Sequence, residues 1–326
     1  MKKHSFAVGS WLCAAIVALA LACQTDVYPP IDESKHIIAV DPPDPKVVVF
    51  VIDGPRYSDS FGDSLHVHVD EIWNQLRPLG TLCSNFRNLG WTLTIPGHAT
   101  MLTGVWQYLN NDGLERPQEP TLFEYYRQAK GAPAADAVLV GGKSKLAACA
   151  YSNHPAYGAA FGALVDVDNV SDFETYDAVI TRLQSDHPHL MMASFSQVDQ
   201  KGHSGVWADY VDQIEIVDSL AVLTWNYLQS DPVYAGQTYL FITADHGRHD
   251  DQHGGFQNHG DACAGCQHVI FLALGPDIRV DYDVTTLYTQ RDVCTTVGEL
   301  LDIATPYADG FTMEEIFEPV STGVGD

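Results

Sequence analysis

Two hydrophobic periods alternate along the chain. Lys46-Val47-Val48-Val49-Phe50-Val51-Ile52-Asp53-Gly54 is an unbroken β-branched and aromatic run that closes on an acid and a glycine. That is the pattern of a parallel strand buried on both faces. Further strands are expected at 137–141, 190–195, 238–245 and 268–275. Between them the period changes to that of a helix. Trp207, Val211, Ile214, Val217, Ala221, Trp225 and Leu228 recur on one face, while Asp209, Asp212, Glu215 and Asn226 fall elsewhere, predicting a core-facing helix over 207–228. Helices also fit 69–76, 121–129, 172–183 and 291–301. Strands alternating with helices imply an α/β fold, with a mostly parallel sheet covered on both faces and ligands at the carboxyl ends of the strands.

The first residues do not fit this alternation. Met1-Lys2-Lys3-His4 leads into an apolar run ending Leu19-Ala20-Leu21-Ala22-Cys23, which reads as an export signal over 1–22 followed by a lipobox cysteine. Cys23 is then expected to be the lipidated first residue of an exported bacterial lipoprotein, periplasmic or at the cell surface. Residues 23–45, with Tyr28-Pro29-Pro30 and Asp41-Pro42-Pro43-Asp44-Pro45, read as a Pro-rich tether, and 46–326 as one catalytic domain. The lipid is the expected membrane contact. A formal charge of −25 argues against binding a nucleic-acid polymer or an anionic bilayer by electrostatic attraction. Past the signal the cysteines are Cys83, Cys149, Cys263, Cys266 and Cys294. Cys263-Ala264-Gly265-Cys266 is compatible with a disulfide, a zinc clip or a redox pair. The disulfide is favoured, because a clip needs a second ligand pair and the other cysteines are isolated.

Polar residues collect where the strand-end rule places them. Asp53 ends the first strand, Asp245-His246-Gly247 ends another, Asp199-Gln200-Lys201-Gly202-His203 follows the strand at 190–195, and His259-Gly260-Asp261 precedes the last. Carboxylates interleaved with imidazoles suit a divalent metal, zinc above all. A further stretch, Thr94-Ile95-Pro96-Gly97-His98 followed by small residues, predicts a hydroxyl at a helix N-terminus, where backbone N–H groups favour anions. By itself such a threonine is more often a cap than a nucleophile.

This set of motifs, in this order, resembles the alkaline phosphatase superfamily. The match is nearest to the branch of nucleotide pyrophosphatases/phosphodiesterases and threonine-type alkaline phosphatases. Arg291-Asp292-Val293-Cys294-Thr295-Thr296-Val297-Gly298-Glu299-Leu300-Leu301 is similar to the family's terminal helix. The resemblance implies a three-layer α/β/α sandwich and two divalent metals, taken as zinc. One would be held by Asp53, Thr94, Asp245 and His246, the other by Asp199, His203 and His259, with His253 as the alternative to His259. It implies that Thr94 attacks phosphorus and that water then hydrolyses the phospho-enzyme. Asn111, or its neighbour Asn110, would contact phosphate. Lys143-Ser144-Lys145 resembles the family's Lys-x-Arg pair for a monoester dianion, with Lys in place of Arg. His98 is expected to hold the turn by hydrogen bonds. Sulfatases need Cys or Ser where Thr94 stands.

The expectation is therefore an exported two-metal phosphohydrolase acting on a small phosphorylated substrate, a monoester first and a diester or nucleotide second. A metal-binding lipoprotein without catalysis is the alternative of another class. Nothing in the sequence fixes the oligomeric state.

Overall fold

The centre of the molecule is β1 (Lys46–Ile52), whose seven residues are all buried. A computed structural model describes residues 42–319. The signal segment, Cys23 and most of the tether lie outside the described residues. After β1 come β2 (Thr81–Cys83), β3 (Phe86–Arg87), α1 (Thr94–Thr103), α2 (Leu122–Lys130), β4 (Ala137–Gly141), β5 (Leu164–Val167) and α3 (Asp172–Ser185). Then follow β6 (Leu190–Phe195), α4 (Gln197–Ser204), α5 (Trp207–Ser230), β7 (Thr238–Ala244), α6 (Ala264–Gln267), β8 (Phe271–Leu274), β9 (Tyr282–Val284), β10 (Tyr288–Thr289) and α7 (Arg291–Leu300).

Eight strands form one sheet in the order β5-β4-β6-β1-β7-β8-β2-β9, and β10 pairs with β3 apart from it. β1 runs parallel to β6 on one side and to β7 on the other. β8 is antiparallel to both β7 and β2, so within this sheet it alone runs against the rest. The sheet is thus mostly parallel, as the sequence predicts, while the reversal of the strand expected at 268–275 was not foreseen. α1, α2 and α7 pack on one another, and α3, α4 and α5 form a second group, so each sheet face has its own helical layer. The sequence explains the layers: α2 starts in a capping box, with Glu124 N donating to the Thr121 side chain and Glu124 answering the Thr121 backbone.

Two expected helices differ in detail. The segment expected at 69–76 winds as a short π-helical turn, Ile72–Leu76, with its start held by the Asp218 carboxylate, which accepts from Glu71 N and Ile72 N at 2.8 Å each. On α5, Trp207 is exposed, not core-facing; it is the first residue of the helix, and its ring lies against Tyr210 and Phe256. Register matters most for function. Ile52 lies opposite Phe195 and Ala244, and Gly141 opposite Ser194, so β4, β6, β1 and β7 end level with one another. Whatever follows those four strands meets at one edge.

Candidate metal centre

Four adjacent strands each contribute to that edge. Asp53 follows β1, Asp245 and His246 follow β7, Lys143 follows β4, and Asp199 with His203 lies on α4 just after β6. Asp199 and His203 are four positions apart on one helical face, which brings His203 Nε2 to 3.3 Å from Asp199 Oδ1. His259 joins from the long connection after β7, with Nε2 3.4 Å from Asp199 Oδ1 and 3.2 Å from His203 Nε2. Ligands about 2.0–2.1 Å from a tetrahedral zinc are separated by about 3.3 Å, so these three edges fit one ion. His259 Nδ1 donates to Thr92 O at 2.9 Å, which leaves Nε2 with its lone pair for a metal.

A second group lies beside the first. One donor atom each from Asp53, Asp245 and His246 falls within 4.8 Å of the others, and all three residues are buried. Asp53 Oδ1, Asp245 Oδ2 and His246 Nε2 make no hydrogen bond, while Asp53 Oδ2 has only the Lys143 ammonium, at 2.6 Å. Buried acceptors without donors are costly, and together they call for a cation. His246 Nδ1 donates to Gly247 O at 2.9 Å, again leaving Nε2 as the acceptor. Its ring stacks on His259, centroids 3.8 Å apart, so the two groups abut. Burial, with repulsion from Asp53, pushes the Asp245 carboxyl well above its ordinary range. Burial also raises Asp53 and drives His246 well below the usual imidazole range. Two divalent cations would reverse each of these penalties, so the residues present fit the group.

Lys143 connects the two halves. Its Nζ lies 2.6 Å from Asp53 Oδ2 and 2.7 Å from Asp199 Oδ2, and 3.4 Å from Thr94 Oγ1. Burial works to discharge this ammonium, but Asp53 and Asp199 outweigh it and hold it charged above the ordinary lysine range. Burial opposes ionisation of Asp199 too, but the neighbouring His203 and His259 rings and the charge of Lys143 hold its carboxyl well below the usual carboxylate range.

Thr94 is the first residue of α1, and the cap position belongs to Leu93, whose extended backbone offers no side-chain bond. The cap reading, the commoner one for such a threonine alone, does not hold for Thr94. Its place at the helix start is taken by Asn111, whose Oδ1 accepts from Ile95 N at 2.9 Å and from Lys145 Nζ at 3.0 Å. Thr94 Oγ1 is left facing the centre. Of the two asparagines, Asn111 is the one beside Thr94, while Asn110 N is engaged with Glu115. The ammonium of Lys145 is shifted down, by burial first and by Lys143 second. His98 Nδ1 donates to Thr94 O at 2.8 Å and Nε2 accepts from Ser194 Oγ at 2.9 Å, so it holds the turn. Burial takes its pKa down to about 3, which keeps it neutral. Gly97 lets α1 lie against the end of β7, since a Cβ there would stand 2.4 Å from Asp245 O.

His253 does not reach Asp199. It is exposed and bonded to Asp250 Oδ1 at 2.6 Å. Cys263 and Cys266 are free thiols, which corrects the expected disulfide. Three residues essential to the geometry carried no periodic signal. Arg248 is fully buried and donates to Asp199 Oδ1 at 2.6 Å and Gly54 O at 3.2 Å. Gly202 makes room for it, as a Cβ would come 2.4 Å from Arg248 Cζ. Asn88 and Gln290 both donate to Asp245 O, at 2.8 and 2.6 Å, and fix the end of β7. The position of Arg248 directly after Asp245-His246-Gly247 was the one available hint.

Fold and site together define an α/β metal-dependent enzyme of the alkaline phosphatase-like type. The model of the Metalloenzyme superfamily matches residues 153–315, half of the 326, and the chain belongs to that superfamily. Over 78 residues it is 35% identical to the 2,3-bisphosphoglycerate-independent phosphoglycerate mutase of Clostridium tetani (strain Massachusetts / E88). That stretch is 24% of this chain and 14% of the mutase, so the chain spans a small part of that relative's length. Two solved structures share the fold. A 2-O GAG sulfatase, BT1596, superposes with a TM-score of 0.64 at 16% identity, covering 84% of this chain and 74% of its own. Murine ectonucleotide pyrophosphatase/phosphodiesterase 5 superposes with a TM-score of 0.62 at 14% identity, covering 84% of this chain and 100% of its own.

Proposed function

We propose that this protein hydrolyses phosphate monoesters, with Thr94 as nucleophile and two divalent cations, taken as zinc. One cation is assigned to Asp53, Thr94, Asp245 and His246, the other to Asp199, His203 and His259. The observation that carries the reading is the Thr94 hydroxyl, spared from capping and 3.4 Å from an ammonium that also bridges Asp53 and Asp199. When bound, the cations supply Lewis-acid polarisation and lower the pKa of a hydroxyl or water.

The chain's own residues do the rest. Thr94 Oγ1 attacks phosphorus, the ester oxygen departs, and water cleaves the phosphothreonine to release inorganic phosphate. Lys143 and Lys145 offer positive charge to the non-bridging oxygens. Asn111 offers Nδ2, because its Oδ1 already accepts from Ile95 and Lys145. Two ammonium groups in one site favour a dianionic monoester over a monoanionic diester.

A diester or nucleotide is the second reading. It is favoured by the murine phosphodiesterase neighbour, whose inactive threonine-to-alanine form is described in complex with AMP. Rates on 4-nitrophenyl phosphate and bis(4-nitrophenyl) phosphate, with metal content measured, separate the two. The monoester should turn over faster, and Thr94→Ala should lose about 10³-fold or more in turnover while keeping most of its metal. A faster diester would replace the first reading by the second. Unchanged turnover in Thr94→Ala would sink both and favour a metal-binding protein without this catalysis.

Export and lipidation at Cys23 belong to the same proposal. Incorporation of labelled palmitate into the wild type and not into Cys23→Ser is the expected result.

A further inference from the structure

The connection between β7 and α6, residues 245–263, contains no helix or strand, yet it carries His259 and Arg248 into the candidate centre. Loops of this length need something to hold them. Part of the answer is polar: His249 N donates to Asn258 O at 2.8 Å, Gly247 N donates to Cys266 O at 2.8 Å, and the Arg248 side chain donates to Phe256 O and Gln257 O. The remaining tie is a cluster of metal-type donors that no part of the proposed reaction uses.

His249 Nε2 lies 3.3 Å from Asp261 Oδ2, and with Cys266 Sγ these donor atoms all fall within 4.8 Å of one another. The Cys263 thiol touches both the Asp261 carboxylate and the Cys266 side chain. Both cysteines are buried. His249 Nε2 is buried as well and makes no hydrogen bond, so a polar ring atom points into the cluster unsatisfied. The 3.3 Å edge between imidazole and carboxylate is the one that ligands about 2.0–2.1 Å from a tetrahedral zinc require. Cys263, three positions before Cys266 and against Asp261 and Cys266, offers a fourth donor beside the three that already converge. His249 with Asp261 would be the second ligand pair whose absence disfavoured a zinc clip in the sequence. Asp250 and His253, bonded to each other at 2.6 Å, lie against Cys263 on the exposed side.

We infer that Cys263, Cys266, His249 and Asp261 bind a structural zinc ion, separate from the candidate catalytic centre, that fastens the loop carrying His259. Two thiolates suit zinc over magnesium or calcium, and four protein ligands leave no open position for chemistry. Binding by three side chains of the loop and Cys266 of α6 would supply folding free energy to a segment that has little core of its own. The inference stands whether or not Thr94 is a nucleophile.

Cobalt substitution of the full chain tests it without relying on turnover. The candidate catalytic ligands contain no sulfur, so thiolate-to-cobalt charge-transfer absorption in the near ultraviolet reports this cluster alone. The wild type should show that absorption and should hold one zinc more than Cys263→Ser/Cys266→Ser. His249→Ala, which keeps both thiols and covers the case where the double variant does not fold, should lose that extra zinc, as should Asp261→Asn. His253→Ala should keep it. Absence of the charge-transfer band in folded, cobalt-loaded wild type would overturn the site. So would recovery of Cys263 and Cys266 as a disulfide from native protein. Zinc retained by Asp261→Asn and lost by His253→Ala would overturn the assignment of the fourth ligand.

Discussion

Lys143 shows what single residues decide here. Its ammonium sits between Asp53 and Asp199, where it neutralises carboxylates that also serve as candidate metal ligands. Arg248 does a different job on Asp199, holding it from behind with a guanidinium that has no exposure to solvent. Removing such a support under a ligand typically lowers metal affinity about 10–100-fold. Arg248→Met should therefore need more zinc to saturate, with the loss read by chelator competition; unchanged affinity would assign Arg248 to packing only. Asn111→Ala should lose about 1 kcal/mol of stability, since Ile95 N loses its acceptor at the start of α1. If Asn111 also grips phosphate, kcat/KM should fall by well over the factor that this stability loss explains, and a drop in melting temperature alone would leave it a cap. Asp53, Asp199, Asp245, His246 and His259 were readable because each stands at the end of an apolar run or in a short Asp/His motif. Arg248, Asn88 and Gln290 were not, because their roles arise from contacts between positions such as 88 and 245 that only the fold brings together.

At the scale of elements, long apolar runs were legible and short or two-faced ones were not. β1, β4, β6 and β7 match the expected strands to within a residue, since a strand buried on both faces leaves a continuous signature. β2 has three residues, and β5, Leu-Val-Asp-Val, is only partly buried, so neither stands out from the background. Nor does an apolar run reveal its direction, which is why the reversal of β8 was hidden. One contact between elements carries a pH dependence. His189, just before β6, donates or shares protons with Asp136 Oδ1 at 2.6 Å and Asp44 Oδ1 at 2.8 Å, tying the starts of β6, β4 and β1 together. The hydrogen bond with Asp136 raises the His189 pKa above its ordinary value near 6.5. A raised imidazole pKa gives stability that is fully present below about 6.5 and fades as pH climbs through the folded value. Urea midpoints of wild type and His189→Gln should thus differ most below neutrality and converge in alkali. A gap that widens with pH would contradict the clamp.

The molecule as a whole reads as one sheet built to present an edge. If the candidate centre binds cations as tightly as its seven ligands suggest, the ions stabilise the native state by mass action, by about 4 kcal/mol per site at a thousandfold excess over Kd. Chelation should lower the melting temperature by several degrees and added Zn²⁺ should restore it. A melting curve indifferent to chelators, on protein first shown to contain metal, would mean that the ions contribute nothing to the fold.

The strand order has a consequence for how the chain is made. β1 is buried along its whole length, yet both of its neighbours, β6 and β7, come from residues 190–195 and 238–244. During synthesis from the N-terminus, the ribosome releases this sticky ribbon long before anything exists to cover it. It must wait unpaired until β6 has been made, a state that favours aggregation and rewards a chaperone. His259 emerges later still, so the complete set of candidate ligands, and with it the grip on metal, arrives only after β7 has been made.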